Sequence, residues 1–356
     1  MSEVAEALVV DGVSVAPGTR HSWHLPAGET LTGPIGVPIT VLAGSEPGPT
    51  LAVTAACHPG EYNGILASVE LTRRVDPQHL RGNLLVVHVQ NVPGVQTKAG
   101  HLSPLDGVNM GRAFPVPGEV IETTGNVSHQ TTSPTHQIAS RIFDEVISRA
   151  DAYVDLHGGE VFESLPANVE YLITEDEETD ARTRELARAF GFPILWEVPQ
   201  GSIAEMPGYP GRGSAVMEAG MRGIPSVLCE VGGEGKLEEH LVDLTVRGLL
   251  RALGHLGMIG DVPEAESDES VTLVGGHVLF ASRAGFVLCA IAAGDEVREG
   301  QLLGRIITLG GDEVERITAP ESAVLTNVVT RGIANPGDML FVMGNVHAPS
   351  VAQLDR

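Results

Sequence analysis

Lysine is nearly absent from this chain, occurring only as Lys98 and Lys236. Basic residues number 22 against 46 acidic ones, a formal net charge of -24. A surface of that sign repels phosphate backbones and anionic headgroups, so neither nucleic acid nor a membrane surface is an expected partner. Long hydrophobic runs are missing too: no stretch approaches the roughly 18 apolar residues of a membrane span. The opening MSEVAEALVVDGVS has no basic n-region, and Asp11 breaks its apolar run before it could serve as a signal core, so a cytoplasmic protein is expected. Cysteine is scarce. Cys57, Cys229 and Cys289 are scattered without C-x-x-C spacing, which speaks against a disulfide framework or a thiolate zinc site and leaves buried, reduced thiols as the expectation.

What is present is ordinary globular material, 42% hydrophobic and 19% charged over 356 residues, enough for a sizeable catalytic domain and a smaller one. Short apolar runs at 39–42, 51–57, 84–89, 152–156, 193–198 and 226–231 read as buried strands. Helical patterns lie between them, at 62–73, along Ile138, Ile142, Phe143, Val146 and Ile147, and along Leu237, Leu241, Leu244 and Leu253. The alternation predicts an α/β domain with a parallel or mixed sheet flanked by helices, over 46–264. Residues 1–45 read as a β segment belonging to that domain or packed on it. The acidic stretch 261–270 reads as a linker, and 265–356, rich in glycine and short alternating segments, as a small all-β domain.

Two of the strand patterns run into histidines. Run 51–57 leads into His58-Pro59-Gly60-Glu61 before a helix, and run 152–156 leads into His157-Gly158-Gly159. Sites of open α/β sheets form beyond the carboxyl ends of strands. An imidazole and a carboxylate three residues apart at such a turn can converge on one ion, and His157 would complete a two-histidine, one-carboxylate set with a fourth position open. Zinc suits those ligands and lowers the pKa of bound water to about 7, so no serine or cysteine nucleophile is needed. One zinc ion per chain, held by His58, Glu61 and His157, is the expectation.

The segments HPGEYNG, DGVNMGRAFP, VDLHGG and PSVLCEVGG, in that order, resemble the motif series of the succinylglutamate desuccinylase/aspartoacylase family, relatives of zinc carboxypeptidases. The resemblance covers about residues 50–260. It implies a zinc hydrolase of N-acyl amino acids with His58, Glu61 and His157 at the ligand positions and Glu230 at the position of the catalytic glutamate. Glu230 also ends a buried-strand pattern, where a carboxylate faces the same rim and can take a proton from water and return it to the leaving amine. Arg112 can hold a substrate carboxylate or an oxyanion through its guanidinium fork, and Asn109 is a substrate-binding or loop-fixing candidate.

The chain departs from the family at two points. Many relatives read N-x-N-R where this sequence has Asn109-Met110-Gly111-Arg112, so Gly111 stands at a substrate-contact position. Where relatives often carry an arginine that polarises the carbonyl, the nearest candidate is His101, which can donate one hydrogen bond to an oxyanion without a permanent charge.

Other polar residues carry less. His21 and His24 have i, i+3 spacing, which puts them on opposite faces of a strand. His129 and His136 sit in a Ser/Thr-rich stretch that reads as a connecting loop. Glu160 and Glu163 follow the second histidine and could receive a substrate amine, although a solvated loop explains them as well. The C-terminal stretch resembles the barrel-sandwich fold of biotinyl and lipoyl carriers, yet no lysine follows Lys236 to bear a cofactor. In family relatives such a domain packs beside the site and narrows it. The reading is therefore a deacylase of a small N-acyl amino acid or related amine, a deacetylase of an N-acetyl diamino acid being one member. A carboxypeptidase of short peptides and a non-catalytic zinc-binding protein are the alternatives. A homo-oligomer is compatible with the residues.

Overall fold

Strands that are apolar on both faces need cover on both sides, and the chain supplies it with helices. The computed structural model describes residues 6–116, 133–203, 211–265 and 270–347. Four neighbouring strands run parallel in the order Arg81–Val87, Glu46–Ala55, Ala152–His157 and Ser226–Glu230. Asn168–Ile173 joins antiparallel to the last of these, Ile194–Pro199 follows parallel to it, and Val271–Phe280 continues parallel to that. The antiparallel hairpin of Thr19–Thr30 and Gly33–Ala43 extends the opposite edge beside Arg81–Val87.

One face of this mixed sheet is covered by Tyr62–Arg74, Glu177–Phe190 and Glu239–His255, whose Leu71, Leu186, Phe190 and Leu249 enter a common core with Val53 and Val154 of the strands. The other face is covered by Pro134–Glu145 and Ala215–Gly220, through Ile138, Ile142, Phe143 and Met217 against Val41, Leu85 and Tyr153. Among the described residues no helix is long and apolar enough to cross a membrane.

The C-terminal segment is β throughout its described residues, and part of it continues the main sheet. Met339–Val346 lies antiparallel between Val271–Phe280 and Ala323–Val329, and a second sheet carries Gly285–Cys289, Leu302–Ile307 and Glu313–Thr318. Leu303, Ile306, Leu325, Phe341 and Met343 form its core. Val328 pairs with Ser164 and Val329 with Glu163, so this region is joined by backbone to the loop after His157.

Candidate active site

Three adjacent parallel strands deliver their ends to one rim. Glu46–Ala55 leads through Ala56, held at a left-handed φ of 55°, to His58. Ala152–His157 ends on His157 and Ser226–Glu230 on Glu230, with Glu230 directly opposite His157 in the register. Along these strands the side chains are mostly apolar and buried, so the polar groups collect at the carboxyl ends.

There His58 Nδ1 lies 2.7 Å from Glu61 Oε1, and His157 Nδ1 lies 3.3 Å from Glu61 Oε2. Glu61 occupies the N-cap of helix Tyr62–Arg74 but makes no capping hydrogen bond; its carboxylate turns to the two imidazoles instead. The outer nitrogens are fixed as well. His157 Nε2 lies 3.1 Å from Asp155 Oδ2, while Asp155 Oδ1 accepts from Thr54 Oγ1 at 2.5 Å and Gln90 Nε2 at 2.9 Å. His58 Nε2 lies 3.1 Å from Asn109 Oδ1, an oxygen that also accepts from the Gly111 N–H at 2.8 Å.

Because both outer partners are acceptors, each ring carries its proton on Nε2 and directs the Nδ1 lone pair at Glu61. Two lone pairs and a carboxylate, with ligand atoms within 4.8 Å of one another, form a donor set for a divalent cation. The residues fit zinc chemically, and the buried Glu61 Oε2, which among the described residues has no hydrogen-bond partner, keeps a lone pair for such an ion. Burial opposes charge on both groups, yet His157 and His58 hold Glu61 down at about 2, and Glu61 and Asp155 push His157 well above the usual imidazole range.

A cavity of about 650 Å³ opens over this cluster and is also lined by Glu230, Arg112, His101, Asn109 and Gly111. Glu230 Oε2 is sealed from solvent with no hydrogen-bond partner among the described residues; burial raises its pKa well above the carboxylate range, with Glu61 and Glu170 adding to the rise and His157 opposing it. Arg112 is exposed and donates to its neighbour's carbonyl, Gly111 O, at 3.0 Å. A Cβ on Gly111 would come 3.1 Å from His58 Nε2 and 3.2 Å from Asn109 Oδ1, so a side chain there would crowd the bond that orients His58.

His101 stacks on His58 with ring centroids 4.1 Å apart. Its Nε2 accepts from Asn109 Nδ2 at 2.7 Å, which leaves the proton on Nδ1, 3.8 Å from Glu160 Oε1. Burial, then the neighbouring His58, lowers its pKa to about 3, so the ring is neutral. Glu160 is only 1% exposed, and among the described residues neither of its oxygens has a hydrogen-bond partner. Burial, reinforced by Glu61, raises its pKa to about 7. Both Glu160 and Glu163 line the cavity, and burial raises Glu163 too.

Other residues singled out in the sequence lie elsewhere. His21 stacks on Trp23 in the strand Thr19–Thr30, and His24 lies on the same strand; neither lines this cavity. His136 lies in the first turn of the helix Pro134–Glu145 and not in a connecting loop, and it bonds Ser133 Oγ at 2.8 Å, while His129 falls outside the described residues. Cys57 and Cys229 are buried as expected, but Cys289, the last residue of the strand Gly285–Cys289, is exposed. Asp155 escaped the sequence reading although it stands two residues before His157, a strand spacing that puts both on one face. Arg331, whose guanidinium lies 4.1 Å over the Phe162 ring at the cavity wall, gives no local sequence signal.

The family model for the succinylglutamate desuccinylase/aspartoacylase catalytic domain matches residues 47–256. Over 343 residues, 93% of each chain, the sequence is 26% identical to an N-alpha-acetyl-L-2,4-diaminobutyric acid deacetylase of Halomonas elongata. The crystal structure of a succinylglutamate desuccinylase from Silicibacter sp. TM1040 matches with a TM-score of 0.78 at 26% identity, over 92% of this chain and 95% of that one. The product-bound ectoine utilization protein EutE (DoeB) from Ruegeria pomeroyi gives the same TM-score of 0.78 and the same coverage, 92% and 95%, at 24% identity.

Proposed function

The chain belongs to the succinylglutamate desuccinylase/aspartoacylase family, and from that premise we propose that it is a zinc-dependent hydrolase that removes a small acyl group, acetyl foremost, from an amino group of a diamino acid. The observation that carries the reading is the pair of Nδ1 lone pairs directed at Glu61, with Glu230 in register beside His157. His58, Glu61 and His157 would hold the metal. Zinc bound there supplies Lewis acidity toward the amide carbonyl and toward water.

The remaining chemistry falls to the chain's own side chains. Glu230 takes a proton from the attacking water and delivers it to the leaving nitrogen, so that amide and water become a carboxylic acid and a free amine. Its sealed, high-pKa setting makes it a competent acid once protonated. Arg112, at the exposed side of the cavity, suits the substrate's carboxylate. Asn109 and His101 orient His58: the amide bridges both rings, and the stacked, neutral His101 holds the amide in place. With Nε2 engaged and Nδ1 turned toward Glu160, His101 serves as a positioning residue better than as an oxyanion donor.

The charge of the cavity supports the amine side of the reading. Among the described residues seven acidic side chains and two arginines line it, an acidic excess that suits a substrate amine. The relative from Halomonas elongata, a deacetylase of an acetylated diamino acid, supports the same choice. A carboxypeptidase would use the same metal and glutamate, but strands of the C-terminal segment wall the cavity, bringing Phe280 and Arg331 to it. Turnover of N-acetyl, N-succinyl and N-formyl amino acids beside dipeptides tests the proposal. N-acetyl diamino acids should be hydrolysed fastest, and faster turnover of dipeptides would overturn it.

A further inference from the structure

We propose that Glu160 is the specificity residue of this site, its carboxylate receiving the free ammonium of the N-acyl diamino acid. The inference rests on the deacylase reading and adds the group that selects the substrate. A carboxylate removed from water is stable only when paired or hydrogen-bonded. Glu160 is 1% exposed, lines the cavity, and among the described residues has no hydrogen bond to either oxygen. The ion-pairing group nearest to it among the described residues is the neutral His101, at 3.8 Å. A cation supplied by the ligand is the partner this geometry calls for.

The backbone that carries this carboxylate is tied down. The Glu160 carbonyl accepts from Glu163 N at 3.1 Å and Glu234 N at 3.0 Å, and the following residues are tied to the C-terminal strands through Val329 opposite Glu163 and Thr330 N donating to Phe162 O at 2.8 Å. Gly60 makes room for it: a Cβ there would come within 2.8 Å of Glu160 Oε2. A second metal shared by His58, His101 and Glu160, whose ligand atoms also lie within 4.8 Å of one another, does not fit, because His58 Nε2 and His101 Nδ1 both carry protons.

The spacing favours a short side chain. A Glu160 oxygen lies within 4.8 Å of a His58 ring nitrogen, so ammonium and scissile carbonyl must sit only a few bonds apart. From the acyl carbon of an Nα-acyl-2,4-diamino acid to its γ-nitrogen is five bonds, roughly 6 Å when extended. A lysine side chain adds two more bonds, which overshoots this arrangement.

The test uses the zinc-loaded protein, wild type against Glu160→Gln and Glu160→Asp, with equal zinc content as the folding control. Substrates are Nα-acetyl-2,4-diaminobutyrate and Nα-acetyl-2-aminobutyrate, which has the same carbon chain without the amine. Wild type should prefer the amine-bearing substrate by about 100-fold in kcat/KM. Glu160→Gln should bring that ratio near unity, chiefly through KM, and Glu160→Asp should keep part of it. A wild-type preference for the neutral analogue, or an equal loss on both substrates in Glu160→Gln, overturns the inference while leaving the deacylase reading intact. If wild type hydrolyses no N-acyl amino acid, the deacylase reading falls, and calorimetry with 2,4-diaminobutyrate then decides on Glu160. Binding abolished by Glu160→Gln supports it, and equal binding by both proteins overturns it.

Discussion

Asp155 Oδ2 and His157 Nε2, two residues apart on one strand, lie 3.1 Å from each other, and Thr54 and Gln90 pin the other oxygen of the same carboxylate. This fixes the ring that presents its Nδ1 to Glu61. Asp155→Asn keeps the shape but puts a weaker acceptor behind the imidazole. Zinc affinity is expected to fall about 10- to 100-fold, read by competition with a chromophoric chelator. Unchanged affinity would show that the ring is held by packing alone.

Replacing Glu230 with Gln removes the proton carrier and keeps the volume. The expected loss in kcat is about 10²- to 10⁴-fold with KM and zinc content little changed. Hydrolysis at the wild-type rate by zinc-loaded Glu230→Gln would exclude the role assigned to this residue.

Wild type should purify with zinc, while His58→Ala and His157→Ala should hold markedly less. Chelation should lower the melting temperature of wild type, because an ion bound only to the folded chain stabilises it by mass action. Elemental analysis of the three proteins is decisive: equal zinc in all of them defeats the ligand set.

His88 offers a pH test away from the metal cluster. Ser68 Oγ donates to Ile65 O, so it accepts from His88 Nδ1 at 2.8 Å, and Thr40 Oγ1, 2.8 Å from Nε2, serves the neutral ring. Burial lowers its pKa from 6.5 to about 4. A depressed pKa means that the unfolded chain takes the proton first as pH falls. The stabilisation is therefore complete above 6.5 and is lost between 6.5 and about 4. At about 1.4 kcal/mol per pH unit the loss is about 3 kcal/mol. Urea midpoints of chelator-treated wild type and His88→Gln at pH 7 and pH 4.5 check it. The variant should show a shallower pH dependence.

Gly233→Ala should be costly because a Cβ there would lie 2.1 Å from the carbonyl oxygen of Glu163, and backbone cannot move aside as a side-chain tip can. The Gly159 and Gly233 segments close on the loop that carries Glu160 and Glu163. A destabilisation of about 2–4 kcal/mol is expected in denaturant unfolding, together with loss of any activity that depends on this loop.

The parts of the site legible in the sequence share a physical cause. A buried strand is a run of apolar residues, and the polar residue that ends it is conspicuous, which is how His58, His157 and Glu230 stood out. The strand Asn168–Ile173 was less legible because Asn168 and Glu170 interrupt its apolar pattern; both are buried in the fold and line the cavity. Asp155 was readable from strand periodicity alone, since spacing of two keeps it on the face of His157.

Composition and pattern by themselves determined an acidic α/β chain whose strands end in two histidines and two glutamates, because burial and backbone period are written locally. Only the tertiary structure decided what those ends mean. The register set Glu230 opposite His157, and strand pairing brought the C-terminal residues 328 and 329 against the loop after His157. That closure left the Glu160 carboxylate dry and, among the described residues, without a hydrogen bond, a state that no local pattern encodes. The contacts responsible join residues 73 to 166 positions apart, and pairing over such distances is settled by the packing of the whole chain rather than by any segment of it.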